Sequence, residues 1–330
     1  MRPRIGKAVR KTRPVRAIAV FAVTLFVGGC SSADEPTGAS DPPTASMASE
    51  APLPPVSSTT STRSGPPPAG APSTGISAID LCVGAVHESG PVVADERLTE
   101  ISGIAFSRRN PTVLYAHNDS GDVARVFALA DDGTTSDVFT AEAVALDWED
   151  ASTTADAVFV ADIGDNLGIR PSVRIVRVDE VTRVNTTYPI TYMGGRPDAE
   201  ALIDEETGSV ATIITKDRPD DRARIFEVRL DPAAAVNEAV ERGALAVGGV
   251  VSAADLSADG SVIAVRTYDT IWLFDRVPGQ SVADALMLAP CEAPSVPEVQ
   301  GESIAIHIDG RGYTTISEGL NPTRNDFRLP

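Results

Sequence analysis

Five acidic side chains recur along the chain at nearly constant separation. They are Glu100, Glu149, Glu200, Asp255 and Glu302, at intervals of 49, 51, 55 and 47 residues. Each stands just before or within a short strand-like segment: TEISGIAF from Thr99, DWEDASTT from Asp147, DAEALIDE from Asp198, SAADLSAD from Ser252 and QGESIAIH from Gln300. If folding gathers these acids on a ring, they repel and raise one another's pKa unless a cation or a basic side chain intervenes. Two arrangements satisfy that demand. One is a salt-bridge network with Lys216 and Arg266. The other is a bound hard cation, calcium first, since carboxylate, amide and carbonyl oxygens suit it. The stretch DIGDN at 162–166 adds an oxygen-rich loop, though without EF-hand spacing.

A second series lies downstream of each acid. The apolar runs TVLYAHNDSG, AVFVADIGDN, SVATIITKD, SVIAVRTYD and GYTTISEG all end in polar residues. They offer His117, Asn118, Asp119, Asp162, Lys216, Arg266, Tyr268 and Glu318 as ligand-binding side chains, with Asp165, Asn166 and Asp217 beside them. His117 is the one histidine of this set and the candidate general base near neutral pH. The plainer reading is a turn histidine. GESIA at 301–305 has the outline of a nucleophile elbow, but that motif needs a strand–turn–helix context. No helix follows Ser303, so the motif is rejected. No CxxC or HExxH spacing occurs.

Four short strands per repeat, at a period near 50 residues, are what a β-propeller blade requires. After the two series above come ARVFALA, VRIVRVDE, RIFEVRL and TIWLFDR, rich in Val, Ile and Phe, with turn signals such as DDGT and ADGS between strands. The expected fold is all-β, a propeller of five blades over residues 79–330, with six blades as the alternative. A pair of β-sandwiches would not explain a repeated acid. In a blade the second strand runs antiparallel to the first, so the acids and the polar strand ends should meet on one face. The last repeat is short, and HESGPVVADERL before Glu100 could supply its outer strand. Cys82 and Cys291 lie near the two ends of this domain. In an exported protein they would form a bridge; otherwise they are two buried thiols.

The N-terminus reads as an export signal. Residues 1–16 carry seven Lys or Arg and no acid, and an apolar run from Ala17 to Val27 precedes Gly28, Gly29 and Cys30. The run is shorter than the ~20 residues of a comfortable membrane span. VGGC resembles the lipobox of bacterial lipoproteins. The resemblance implies a signal peptide over 1–29, cleavage before Cys30 and acylation of that residue, with several acyl chains (palmitate among them) as the membrane anchor. Residues 30–78 would then be the lipidated cysteine and a disordered Pro/Ser/Thr-rich tether, which has too little to bury. A flexible chain of that length spans roughly 40 Å. The full chain has 28 basic and 46 acidic residues. Losing the seven in the signal leaves 21 against 46, a balance of −25. A surface this acidic excludes nucleic acid and anionic lipid as natural partners.

The motifs EISG, HNDSG, DWEDA, DIGDN, DAEAL, RTY, GES and SEG, spread from Leu98 to Leu320, are similar to those of a family of exported bacterial propellers that is largely uncharacterised. The family is distantly similar to phytase-like and WD40-like propellers. The resemblance implies an extracytoplasmic, membrane-anchored propeller in the cell envelope. The phytase-like comparison points to calcium and phosphoester chemistry, but its catalytic motifs do not match here residue by residue. Two functions follow as expectations. One is a monomeric envelope propeller whose acidic face binds a ligand, an envelope protein or a cation. The other is a calcium-assisted phosphoesterase using the same face. No nucleophile–base pair is evident, so binding is the first expectation.

Overall fold

Residues 75–141, 144–205, 207–216 and 222–330 are described by the structure, a computed structural model. The signal, Cys30 and the tether up to residue 74 lie outside the described residues, as does Asp217. Among the described residues no helix is long and apolar enough to cross a membrane.

The described chain is nearly all β with two short helices. Helix α1 (Ala78–Gly84) is started by Ser77. Its hydroxyl accepts from the Asp80 N–H, and the Asp80 carboxylate accepts from the Ser77 N–H, satisfying two orphan donors at once. Strand β1 (Val86–Val92) follows. Then β2 (Ile101–Phe106), β3 (Leu114–Asn118), β4 (Arg125–Leu129) and β5 (Thr135–Thr140) form an antiparallel sheet in chain order. The same meander is repeated by β6 (Trp148–Thr153), β7 (Ala157–Asp162), β8 (Val173–Asp179) and β9 (Asn185–Tyr192). It is repeated again by β10 (Ala199–Asp204), β11 (Val210–Thr215), β12 (Arg224–Arg229) and β13 (Asn237–Ala244). A parallel pairing of β9 with β13 joins these two meanders into one eight-stranded sheet.

The next sheet is β14 (Val251–Leu256), β15 (Val262–Thr267), β16 (Ile271–Asp275) and, after α2 (Val282–Leu286), β17 (Cys291–Ala293). The last contains β18 (Gly301–Ile306), β19 (Gly312–Ser317) and β20 (Thr323–Arg328), and β1 pairs antiparallel with β20 as its fourth strand. The segment before Glu100 therefore completes the last sheet, as its sequence suggested. A Cys82–Cys291 disulfide ties α1 to β17 across 209 residues, with Cα atoms 6.2 Å apart.

The leading strands β2, β6, β10, β14 and β18 pack each against the next, and β18 packs against β2. All five are buried along their whole length. That explains why their sequences do not alternate and why Ala, Ser and Gly are frequent where strands converge. Gly103 shows the constraint: a Cβ there would lie 2.2 Å from the Nε2 of His117. At Gly301 a Cβ would lie 2.1 Å from the Arg266 guanidinium. The far strands β5 and β13 are partly exposed and mix polar with apolar residues.

Candidate functional site

Each leading strand begins with the same irregularity. Its pairing slips between Ile101 and Ile104, Trp148 and Asp150, Ala199 and Ala201, Val251 and Ala253, and Gly301 and Ser303. The extra residue is Glu149, Glu200, Ser252 or Glu302 in four repeats; the first has Ser102 and Gly103 there. A bulge re-aims the side chain it carries, and Glu149, Glu200 and Glu302 all reach one opening.

Turn hydrogen bonds set the register independently. The N–H groups of Asp119, Gly164, Lys216, Tyr268 and Glu318 donate to the carbonyls of Glu100, Asp147, Asp198, Val250 and Gln300. The last five form an outer tier. Two residues on, Ser102, Glu149, Glu200, Ser252 and Glu302 form an inner tier. This corrects the ring of five acids read from the sequence. Glu100 belongs to the outer tier, and Asp255 lies three residues past its repeat's true counterpart, Ser252. Asp255 does not line the opening: its buried carboxylate accepts from Leu256 and Ile306 N–H at 2.8 and 2.7 Å. Burial pushes its pKa up to about 6.

The opening is a cavity of about 80 Å³ lined by Glu100, Asp119, Glu149, Asn166, Glu200, Lys216, Tyr268, Gln300, Glu302 and Glu318, among others. Four residues expected on this face lie elsewhere. His117 is wholly buried; its Nδ1 donates to the Asn118 carbonyl at 2.9 Å, and its ring meets Trp148 edge-on. Burial lowers its pKa, so it is a neutral packing residue and not a base at the opening. Asn118 ends β3 and works as a backbone clamp, its Oδ1 accepting from the N–H of Thr99 and Glu100. Asp162 does the same at the end of β7, accepting from Leu146 and Asp147 N–H, and is gripped by Arg170 at 2.6 Å and Arg174 at 2.7 Å. Arg266 is buried against Glu298 at 2.7 Å and donates to the Ser303 carbonyl. In this alternating geometry the strand-final polar residue turns inward to hold the turn. Beyond the strand ends, Asp119, Asn166, Lys216, Tyr268 and Glu318 line the opening. Ser303 is likewise buried, donating to the Ile316 carbonyl.

Two groups of acids place one ligand oxygen each within 4.8 Å of the others: Asp119, Asp147 and Glu149, and Glu149, Asp198 and Glu200. Glu149 belongs to both. Asp147 and Asp198 were missed in the sequence, although DWE and DAE share the pattern Asp-x-Glu. Gly164 was missed too. It is the one turn position of the five without a side chain, and a Cβ there would lie 2.0 Å from Glu149 Oε1 and 2.6 Å from Asp147 Oδ2. The glycine thus leaves room for both carboxylates.

The electrostatics are unbalanced. Burial, then the charges of Glu200, Asp119 and Asp147, push Glu149 well above the usual carboxylate range. Burial and then Asp119 and Asp198 bring Asp147 to about 6. Burial raises Glu200 to about 8 although Lys216 opposes it, with Nζ 2.5 Å from Oε1. Glu302 is raised by burial and takes a hydrogen bond from Gln300 Nε2 at 2.5 Å. Glu149 is 5% exposed, and among the described residues its carboxylate has neither an ion pair nor a hydrogen bond. A set of buried carboxylates without enough cationic partners can hold a hard cation through oxygen ligands. Beside it, a larger open cavity of about 540 Å³ is walled by Arg196, Lys216, Arg222, Arg224 and the same Asp198. No family model matches the chain and no curated protein matches its sequence.

Proposed function

We propose that residues 79–330 form a five-bladed β-propeller, held at the outer face of a membrane by lipidated Cys30, whose acidic opening binds a hard divalent cation, calcium first. The blade count is supported by five antiparallel meanders, two of them joined at an edge, whose leading strands pack in a closed cycle. The tether and the family reading rest on the sequence; the tether, expected over residues 30–78, ends before Ser77, which caps helix α1. The single observation that carries the cation reading is Glu149: a carboxylate almost wholly buried, without a partner of its own, and shared by two triads of acids. Burying an unpaired charge is costly, and such a group either keeps a proton or meets a cation. Aspartate and glutamate at this density suit calcium better than softer metals.

The opening itself has no histidine and no nucleophile–base pair among the described residues, which supports binding over catalysis. One observation favours the second reading, cation-assisted phosphoester hydrolysis. The arginine-lined cavity shares Asp198 with the acid cluster, so an anionic group there would sit beside the metal. Metal analysis of protein purified without chelator tests the first reading, with stoichiometric calcium expected. A panel of phosphoester substrates, with and without chelator, tests the second. Protein free of divalent metal that also fails to take up added calcium would remove both.

A further inference from the structure

The loops that lead into and out of the acidic opening carry exposed apolar side chains. Leu146 directly precedes Asp147; Leu167 follows Asn166 and Ile169 lies two beyond it; Val299 precedes Gln300; Leu320 stands two residues after Glu318. They are 53%, 79%, 64%, 97% and 68% exposed. Large apolar residues scattered singly over a surface need no explanation, but five on the loops at the strand ends that bear one opening point to an interaction surface. At the mouth, Glu100, Asp119 and Glu318 form no ion pair with any described residue. Among the described residues Lys216 is the one cationic side chain lining the cavity, and it is taken by Glu200.

We propose that this face docks a protein segment that presents a lysine or arginine flanked by apolar residues. The basic side chain enters the mouth, and its apolar neighbours cover the rim. Charge complementarity selects the occupant: acids without ion-pair partners among the described residues repel acidic peptides, nucleic acid and anionic lipid alike. Size selects a protein segment over a small organic cation. A cavity of about 80 Å³ admits the end of one side chain, and a small cation would leave every rim residue in water. The arrangement also matches how interfaces distribute affinity, with a desolvated central anchor surrounded by contacts that exclude water.

The inference goes beyond the cation reading and stands on the rim and the outer acids. The test is therefore run in chelator, so that its failure leaves the calcium result untouched. A fluorescent peptide of alternating lysine and leucine, and the same peptide with glutamate for lysine, are titrated with the protein and followed by anisotropy. Native protein should bind the lysine peptide and not the glutamate peptide. The variant Leu167→Ser/Ile169→Ser/Leu320→Ser should bind the lysine peptide about tenfold more weakly or worse, because apolar rim contacts are lost. Glu100→Gln/Glu318→Gln should weaken it similarly, with unchanged melting temperatures for both variants confirming intact folds. Absence of binding, or equal binding by native protein and the rim variant, overturns the proposal; the latter would mean nonspecific attraction to an acidic surface.

Discussion

Asp162 and Glu149 are both buried, yet the chain treats them in opposite ways. Asp162 receives two arginines and two backbone N–H groups. Asp150, wholly buried near the centre, accepts from the N–H groups of Ala151, Leu202 and Ala254 at 2.9, 2.9 and 3.0 Å, joining three leading strands. Those carboxylates are structural parts with their hydrogen-bonding needs met from within. Among the described residues Glu149 has no such supply, and it faces an opening. Asp204 is the instructive third case. It is buried with both oxygens unpartnered, but it lies at the other end of β10, away from the opening. Burial raises its pKa far above the ordinary value, so it resolves its isolation by holding a proton. An acid that is buried, unpartnered and open to solvent through a polar mouth is the one positioned to meet a ligand.

Asp162 should be the most costly of these acids to lose. Replacing it with alanine strands Arg170 and Arg174, and should destabilise by about 3–5 kcal/mol, the usual result of removing one partner of a buried ion pair. Denaturant titration measures it. A loss no larger than that of Glu149→Gln would erase the distinction between the two acids. Next comes the disulfide, which closes the longest loop in the domain. Cys82→Ala/Cys291→Ala should cost roughly 2–5 kcal/mol without altering cation binding, because the bridge acts on the unfolded chain and ties α1 to β17, at the opposite edge of its sheet from the leading strand β14.

The two kinds of acid also differ in how stability in chelator should depend on pH. Asp147 and Asp255 titrate at about 6 and Glu200 at about 8 in the folded protein, all above their ordinary values. The folded state then holds more protons than the unfolded state, so stability should fall as pH rises from about 4 to about 8. Asp326 has the opposite sign. Burial opposes ionisation there, but nearby His307, a hydrogen bond from Thr314 and the charge and hydrogen bond of Arg324 hold it at about 2. Its contribution is present above the ordinary value and is lost as pH falls towards 2. Melting temperature in chelator should therefore be highest near pH 4–5 and decline through neutrality; a curve that rises from pH 5 to 8 would contradict the account of the opening. The smallest effects belong to Glu149→Gln and Asp204→Asn. Each replaces a carboxyl that is protonated or uncompensated in the metal-free protein with a neutral amide, so stability in chelator should change by less than about 1 kcal/mol.

Much of this was legible in the sequence. The period near 50, the four strands per repeat, the outer strand donated by the segment around His87 and the disulfide all follow from patterning and position. Glu149, Glu200, Glu302, Asp119, Lys216, Tyr268 and Glu318 were expected on one face and line one opening. What failed was register. An acid-to-acid alignment cannot see a bulge, so Glu100 and Asp255 were set level with Glu149, while the true counterparts, Ser102 and Ser252, donate hydrogen bonds to backbone carbonyls of the next leading strand. The polar strand ends misled for a related reason. Asn118, Asp162 and Arg266 have the composition of a binding face, but each is engaged by partners inside the fold. Partner bookkeeping of that kind exists only once the chain is folded. Asp147 and Asp198 could have been found from the repeated Asp-x-Glu; Gly164 could not, because its role is the volume it leaves free.

Calcium titration of metal-free native protein and Glu149→Gln, followed by melting temperature, tests the central claim most directly. A ligand that binds only the folded state stabilises it by mass action, about 2.7 kcal/mol at a hundredfold excess over Kd. The account predicts that calcium raises the melting temperature of the native protein in a saturable way and leaves Glu149→Gln unmoved, although both are equally folded in chelator. Equal shifts for the two proteins, or no shift for the native one, would contradict it.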